Sequence, residues 1–279
     1  LADETSTYIH GTSEDEQARL SRMNDVLLNP ASLRELALRG DERIIDFGSG
    51  LGQFSRAMAR AVPRGSVLGI ERSEEQLATA RRLAADAGES QLVTFRQGDV
   101  LDLDLGDAAG TFDLAHTRFL LEHLPDPLRV VRAMVAALRP GGRIVLADDD
   151  HDVLRLWPEP PGMYDLWRAY MRTYDRIGND PFIGRRLVQL LHQAGAQPVR
   201  NTWIFFGGCA GMEIFDTLSR NMAGVVQTAR EAILAMNLFD ANDFDTVMRH
   251  YEEWRARPDA ALWFSMAYAE GVKVLRTED

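Results

Sequence analysis

Cysteine is nearly missing from this 279-residue chain, and Cys209 is its single representative. No intrachain disulfide can form, which fits a reducing compartment. Cys209 lies in "FFGGCAG" with no second cysteine nearby and reads as a small buried hydrophobe. Long apolar runs are also lacking: none approaches the ~20 residues that a membrane span needs. A basic excess is lacking too. The formal net charge is -11, and an acidic surface repels phosphate backbones, so nucleic acid is excluded as the main partner and the acidity reads as solubility. The opening "LADETSTYIHG" is polar and acidic, unlike a secretory signal, and its lack of an initiator Met is consistent with trimming. Internal repeats and low-complexity tracts are absent. The expectation is a soluble cytoplasmic protein, monomer or homodimer, with a sizeable core drawn from 46% hydrophobic residues.

What the chain does have is an alternation of two periodicities. Residues 14–28 place Leu20, Met23, Val26 and Leu27 on one helical face, and 31–39 read as another short helix. Strands are expected at 43–47, 66–72, 92–99, 111–117 and 143–150. Helices are expected between them at 53–62, 74–88 and 127–142, the last closed by a Pro-Gly-Gly turn. Such alternation implies a parallel sheet with helices on both faces, right-handed crossovers and ligand sites at the carboxyl ends of the strands. After residue 150 the rhythm changes: 163–177 and 181–195 read as helices, 197–207 as a strand, 211–256 as two or three helices and 261–272 as a final strand. Six segments follow: a helical lead-in or lid (1–40), a core (41–150), a helical insertion (151–180), a core continuation (181–210), a helical cap (211–257) and a last strand with its tail (258–279).

The segment "IIDFGSGLGQF" (44–54) follows the first strand with Gly48, Gly50 and Gly52. The dinucleotide pattern G-x-G-x-x-G would need glycine at position 53, where Gln53 stands, and Asp46 would repel a pyrophosphate. An acid there can instead order the turn or accept hydrogen bonds from a cationic ligand. Glycines let backbone approach a ligand without a Cβ collision, and the helix starting near Gly52 aims free N–H groups at an anion.

The run "DFGSGLG" resembles the first motif of class I S-adenosylmethionine-dependent methyltransferases. Glu71 ends the second strand 21 residues beyond Gly50, "GDVLDL" follows the third strand, and "FDLAHTRFLLEHLPDP" and "ALRPGGRIVLAD" resemble the fourth-strand and fifth-strand segments of that family. The resemblance covers about residues 40–150 well and 181–205 loosely. Within the family the chain is most similar to small-molecule enzymes of the ubiquinone/menaquinone-biosynthesis type, with "YIHG" and "EQARL" matching their lead-in helix. The Asn-Pro-Pro-Tyr-type tetrapeptide of nucleic-acid amino-methylating relatives is missing.

The resemblance implies a doubly wound, mostly parallel seven-stranded α/β sheet, Rossmann-like, with helical lid insertions. It implies S-adenosylmethionine as methyl donor, S-adenosylhomocysteine as product, and a donor site built from Asp46, Gly48, Ser49, Gly50, Gln53, Glu71, Arg72, Gln76, Gly98, Asp99, Val100, His116, Thr117 and Arg118. Glu71 bridges the ribose hydroxyls in that scheme, since a carboxylate is an acceptor for two donors, and Asp99 takes the adenine amino group. Tyr8, before the lead-in helix, is placed to close over the sulfonium, where cation–π attraction contributes ~0.5–2 kcal/mol.

The expected reaction is methyl transfer to an oxygen, nitrogen or carbon of a small, partly apolar molecule by in-line displacement, which asks chiefly for alignment and dryness. Where the acceptor must lose a proton, His151 and His123 are the candidate bases, with Asp149, Trp157, Tyr164 and Trp167 on the acceptor side. His116 with Asp149 and His151 can supply N/O ligands, but nothing fixes their spacing and no metal is expected. Two alternatives stay open: a nicotinamide-type oxidoreductase on a similar sheet, and a non-catalytic donor-binding regulatory protein.

Overall fold

The computed structural model describes Asn24 and residues 28–274, so Tyr8 and nearly all of the helix expected over 14–28 lie outside the described residues. The chain forms two compact units. A sheet unit holds 29–149, 182–204 and 266–274; a helical unit holds 150–181 and 205–265 together with the described residues before Asn29.

The sheet unit contains β1 (Arg43–Phe47), β2 (Ser66–Glu71), β3 (Val93–Gln97), β4 (Phe112–Arg118) and β5 (Leu138–Asp149). Their order is β3-β2-β1-β4-β5, all neighbours parallel. The last part of β8 (Ala261–Lys273) closes this edge antiparallel to β5, from Arg143↔Val272 to Asp149↔Met266, and β7 (Ala196–Cys209) pairs with β8. The helices of this unit are α1 (Asn29–Leu36), α2 (Gln53–Ala61), α3 (Glu74–Asp86), α4 (Pro127–Ala137) and α6 (Leu187–Gln193). The doubly wound α/β class read from the sequence is the one observed.

Local chemistry explains the boundaries. Ser73 caps α3, its hydroxyl accepting from Gln76 N, with Glu74 and Glu75 in the first turn where the dipole favours acid. Asp126 caps α4, accepting from Arg129 N, and Pro127 occupies the first turn, where its missing N–H costs nothing. Val130, Val131, Met134 and Ala137 of α4 are all buried, a helical stripe set against Ile45, Phe112, Ala115, Ile144 and Leu146 of the sheet. Each of the valine, isoleucine, leucine, methionine and phenylalanine side chains among them stabilises the fold by roughly 1.5–3 kcal/mol relative to exposure.

Two expected elements differ. The helix read over 127–142 ends at Ala137, and the Pro-Gly-Gly segment lies inside β5. The β4–β5 register jumps from Phe112↔Leu138 to Leu114↔Arg143, so 139–142 bulge out of the ladder, with Gly141 at φ +74°. The second difference is an eighth strand, β6 (Arg155–Trp157), in a stretch rich in proline and aromatics. Three residues have no strand signal of their own; pairing of Leu156 with Leu262 makes them one.

The helical unit comprises β6, the first part of β8, the end of β7, and helices α5 (Met163–Thr173), α7 (Glu213–Thr228), α8 (Arg230–Ala235) and α9 (Ala241–Arg255). Trp254 of α9 stacks on Tyr251 and meets Phe215 of α7, while the Tyr251 hydroxyl donates to Ser219 O at 2.9 Å. Cys209 is exposed, contrary to the burial expected of a lone cysteine, because it lies on the exposed face of the end of β7, where burial alternates residue by residue. Phe205 is 77% exposed on the same strand face. Among the described residues no helix is long and apolar enough to cross a membrane.

Gly65 enters β2 against the start of β1, and a Cβ there would lie 2.0 Å from Glu42 O. Backbone cannot yield as a side chain does. Gly65→Ala is expected to cost about 1–3 kcal/mol in urea unfolding; an unchanged midpoint would mean that this strand entry opens freely.

Candidate donor site at the strand ends

Strand order reverses direction at β1, which has β2 on one side and β4 on the other. In open α/β sheets the crevice beyond the carboxyl ends at such a point receives the ligand. The glycine turn leaves β1 at this point. Gly48, Gly50 and Gly52 have φ of +74°, +54° and +72°, a region that L side chains rarely adopt. Gly48 N and Ser49 N both donate to Ile70 O at 2.9 Å, so one carbonyl of β2 holds two amides of the turn. A Cβ on Gly52 would lie 2.5 Å from Phe95 Cζ, and one on Gly48 would lie 2.9 Å from Leu120 Cδ1. At Gly50 the nearest atom within 4 Å is Gln76 Oε1, at 3.3 Å. The turn is therefore braced beneath and open above Gly50.

The Glu71 carboxylate stands at the end of β2 beside this opening. It accepts from Gly50 N at 3.1 Å through one oxygen and from Ser73 N at 2.9 Å through the other. Each oxygen keeps a lone pair for a further donor. Gly98 N donates to Glu71 O at 3.0 Å, which sets β3's exit beside β2's. Asp99 is exposed and its Oδ1 accepts from Leu101 N at 2.9 Å; Val100 is buried next to it. Arg72 is exposed, and Gln97 Nε2 donates to its carbonyl at 3.2 Å. Helix α2 begins with Gln53 after Gly52, whose N-cap position carries no side chain.

The residues expected beneath the donor are knitted into the protein. Asp46 is buried; its Oδ2 accepts from the Ser55 hydroxyl at 2.5 Å, and Oδ1 pairs with His116 Nδ1 at 2.8 Å. Because a carboxylate only accepts, this pairing puts a proton on Nδ1. His116 is 2% exposed and its ring lies 4.9 Å from that of Phe54, so it packs within the unit. The Thr117 hydroxyl is buried and donates to Phe47 O at 3.0 Å. Arg118 donates to Ser32 Oγ at 3.1 Å and Asn29 Oδ1 at 2.9 Å, and its guanidinium lies 4.2 Å above the Phe54 ring. Burial lowers its pKa to about 10 against the opposing pull of Asp46, so it stays charged at neutral pH.

Three acids gather where β4 and β5 end. Asp148 is wholly buried and accepts from Leu120 N, Leu121 N and Asp149 N at 3.2, 2.8 and 3.0 Å. Burial first, then the Glu122 and Asp149 carboxylates, hold its carboxyl well above the usual carboxylate range, against the backbone donors. His123 Nε2 lies 3.4 Å from Glu122 Oε1. Sequence reading did not single out Ser55, Asn29, Ser32 or Gly69, whose spacing carries no mark; it did mark Asp148, in "ADDDHD" (147–152), but as a general base or acceptor contact and not as the partner of three backbone amides. A Cβ on Gly69 would lie 2.7 Å from Phe95 and 2.8 Å from Ser49 Oγ.

The remaining candidates belong to the helical unit. His151 is buried among Trp167, Tyr170 and Tyr174, with ring centroids 5.5–5.7 Å away. Trp167 Nε1 donates to His151 O at 2.6 Å, Tyr174 OH meets His151 Nε2 at 3.3 Å, and Tyr170 OH meets Tyr174 OH at 2.9 Å. Arg155 Nη1 donates to Tyr164 OH at 2.6 Å. Trp157 is 67% exposed on the edge strand β6, not enclosed in a pocket wall.

The raised Asp148 pKa has a stability consequence. A carboxyl whose folded pKa lies above its unfolded value of about 3.9 contributes its stability below that value and loses it as pH rises through the folded pKa. Asp148→Asn, which cannot ionise, should gain stability relative to the natural protein as pH rises from about 4 through the raised folded pKa. Paired urea midpoints measure this, and a difference that stays constant with pH would remove the ionisation from the account.

Comparison with known proteins agrees with this geometry. The family described as "Methyltransferase domain" matches residues 17–201. The 27-O-demethylrifamycin SV methyltransferase of Amycolatopsis mediterranei is 35% identical over 158 residues, covering 55% of this chain and 53% of that protein. The O-methyltransferase cnsE of Penicillium expansum is 30% identical over 230 residues, covering 80% and 78%. The chain thus spans about half the length of several curated relatives and more of others. Among solved structures, the phosphoethanolamine N-methyltransferase 2 of Haemonchus contortus, in complex with phosphomonomethylethanolamine and S-adenosylhomocysteine, superposes with TM-score 0.61 at 15% identity, over 97% of this chain and 61% of that one. A glycine turn, an acid at the second strand end and a family match running through both leave one assignment: this chain belongs to the methyltransferase-domain family.

Proposed function

We propose that the protein transfers a methyl group from S-adenosylmethionine to an oxygen, nitrogen or carbon of a small, partly apolar organic molecule. One observation carries the donor assignment: Glu71, held between Gly50 N and Ser73 N, faces the open side of a turn of three left-handed glycines. The donor set fits the group. Acceptor-only oxygens at Glu71 and Asp99 suit ribose hydroxyls and an adenine amino group, and the N-terminal end of α2 suits a carboxylate. A dinucleotide fits less well, because its pyrophosphate would meet the Glu71 carboxylate, with Gln53 in place of a third glycine.

S-adenosylmethionine supplies an electrophilic methyl on a sulfonium with a neutral thioether leaving group. The chain's task is alignment and exclusion of water. The buried Asp46–Ser55–His116 set keeps α2 and β4 in fixed relation to the turn, so that backbone amides face the ligand without reorganising. Where the acceptor loses a proton on attack, His123 or His151 takes it. Trp167 and Tyr164 are proposed as acceptor-side residues on the apolar helical unit, and Trp157, exposed as it is, as a contact at its edge. Arg118 is proposed to act on the donor by its charge, while its guanidinium donates to Ser32 and Asn29 of α1.

S-adenosylmethionine or its demethylated product should raise the melting temperature, while NAD at equal concentration should not. The reverse result would move the protein to the oxidoreductase class. Glu71→Ala should weaken binding of the demethylated product by about 1–3 kcal/mol, the range for losing hydrogen bonds to a charged group. Calorimetry measures it, and an unchanged affinity would take Glu71 out of the site.

A further inference from the structure

We infer that Asp148 is a positioning residue for the donor: it holds the loop after β4 so that the Leu120 side chain braces the glycine turn. The inference rests on the proposed donor site and goes beyond it, since Asp148 belongs to neither the turn nor the carboxylates facing it.

The chain of contacts is continuous and lies within the sheet unit. Asp148 Oδ2 accepts from two consecutive backbone amides, Leu120 N at 3.2 Å and Leu121 N at 2.8 Å. Two amides on one carboxylate oxygen fix the orientation of the peptide planes between them, because both N–H vectors must converge on one point. The residue before them, Phe119, has φ +53°, a left-handed conformation that a bulky side chain adopts only where its surroundings enforce it. Phe119 N donates to Ala147 O at 3.1 Å, so β5 grips the loop through backbone as well as through Asp148. The Leu120 side chain then fills the space that a Cβ on Gly48 would need, its Cδ1, Cδ2 and Cγ at 2.9, 3.0 and 3.3 Å from that point. On its other side the turn is held by Ile70 O, which takes the Gly48 and Ser49 amides. Ile70 O and Leu120 are thus two jaws on one turn, and Asp148 sets the second.

A wholly buried acid beside Glu122 and Asp149 is costly to keep, and an apolar residue at the end of β5 would avoid that cost. Its three backbone amides explain why it is there: leucine could accept none of them, and each would be left buried and unpaired. The loop would then relax from its left-handed bend, Leu120 would leave Gly48, and the turn amides would lose their aim.

The test titrates S-adenosylhomocysteine into the full chain by calorimetry. Asp148→Ala should weaken it roughly tenfold, and Asp148→Asn, which keeps one acceptor oxygen, by no more than about threefold. Leu120→Ala should cost about as much as Asp148→Ala, and the double variant no more than either, because both act through one contact. Glu71→Ala combined with Asp148→Ala should instead be additive, since Glu71 acts on the ligand by another route. Independent losses from Asp148→Ala and Leu120→Ala that simply add would overturn the inference, as would an unchanged affinity in Asp148→Ala. If Asp148→Ala does not fold, Leu120→Ala decides: full affinity there overturns it. Absence of binding by the natural protein at millimolar ligand would instead overturn the donor reading itself, and this inference with it.

Discussion

Asp46 is the hub on which the site depends. Its carboxylate, buried where β1 ends, accepts from Ser55 on α2 and pairs with His116 on β4. Three elements meet at one group, and the glycine turn is the piece of chain between two of them. A turn of three left-handed glycines has few contacts of its own and loses more backbone freedom on folding than any other kind. Its geometry has to be imposed from outside, and Asp46 below, Ile70 O beside and Leu120 opposite impose it.

The charges around this hub divide by task. Asp46, His116, Arg118 and Asp148 are enclosed and answered by protein groups, so they hold geometry. Glu71 and Asp99 reach solvent and keep lone pairs available, so they meet a ligand. That division follows from burial: an enclosed charge must find its partners within the fold, and what it has spent on them it cannot offer elsewhere. The tension shows most at Asp148, where backbone donors favour the ionised carboxylate while burial and two neighbouring acids oppose it.

The helical unit follows a different logic. Its interior is aromatic and polar at once: His151, Tyr170 and Tyr174 form a chain of side-chain hydrogen bonds, walled by Trp167. Rings bury large areas with few rotatable bonds, which suits a unit assembled from short helices and strand ends. Trp157 on β6 and Phe205 on β7 are exposed and stand outside that interior.

Residue order alone determined the alternation of strands and helices, the parallel sheet, the glycine turn and the acids at the ends of β2 and β3. These are local or periodic signals: apolar spacing, caps such as Ser73 and Asp126, and the glycine a left-handed bend requires. It also carried three errors that share a cause. The helix read through 142 stops at Ala137, because the Pro-Gly-Gly bulge is taken up by pairing with β4. Residues 155–157 are a strand only because β8 lies beside them. Cys209 is exposed because it shares the open strand face of Phe205 at the end of β7. Only tertiary structure decided that His116, Thr117 and Arg118, adjacent to the turn in the sheet, face protein partners, and that Asp148 and Leu120 brace a glycine far off in the chain. Spacing along one segment reports which face a residue occupies, whereas what stands opposite that face depends on segments tens of residues away, brought there by the crossovers of the sheet.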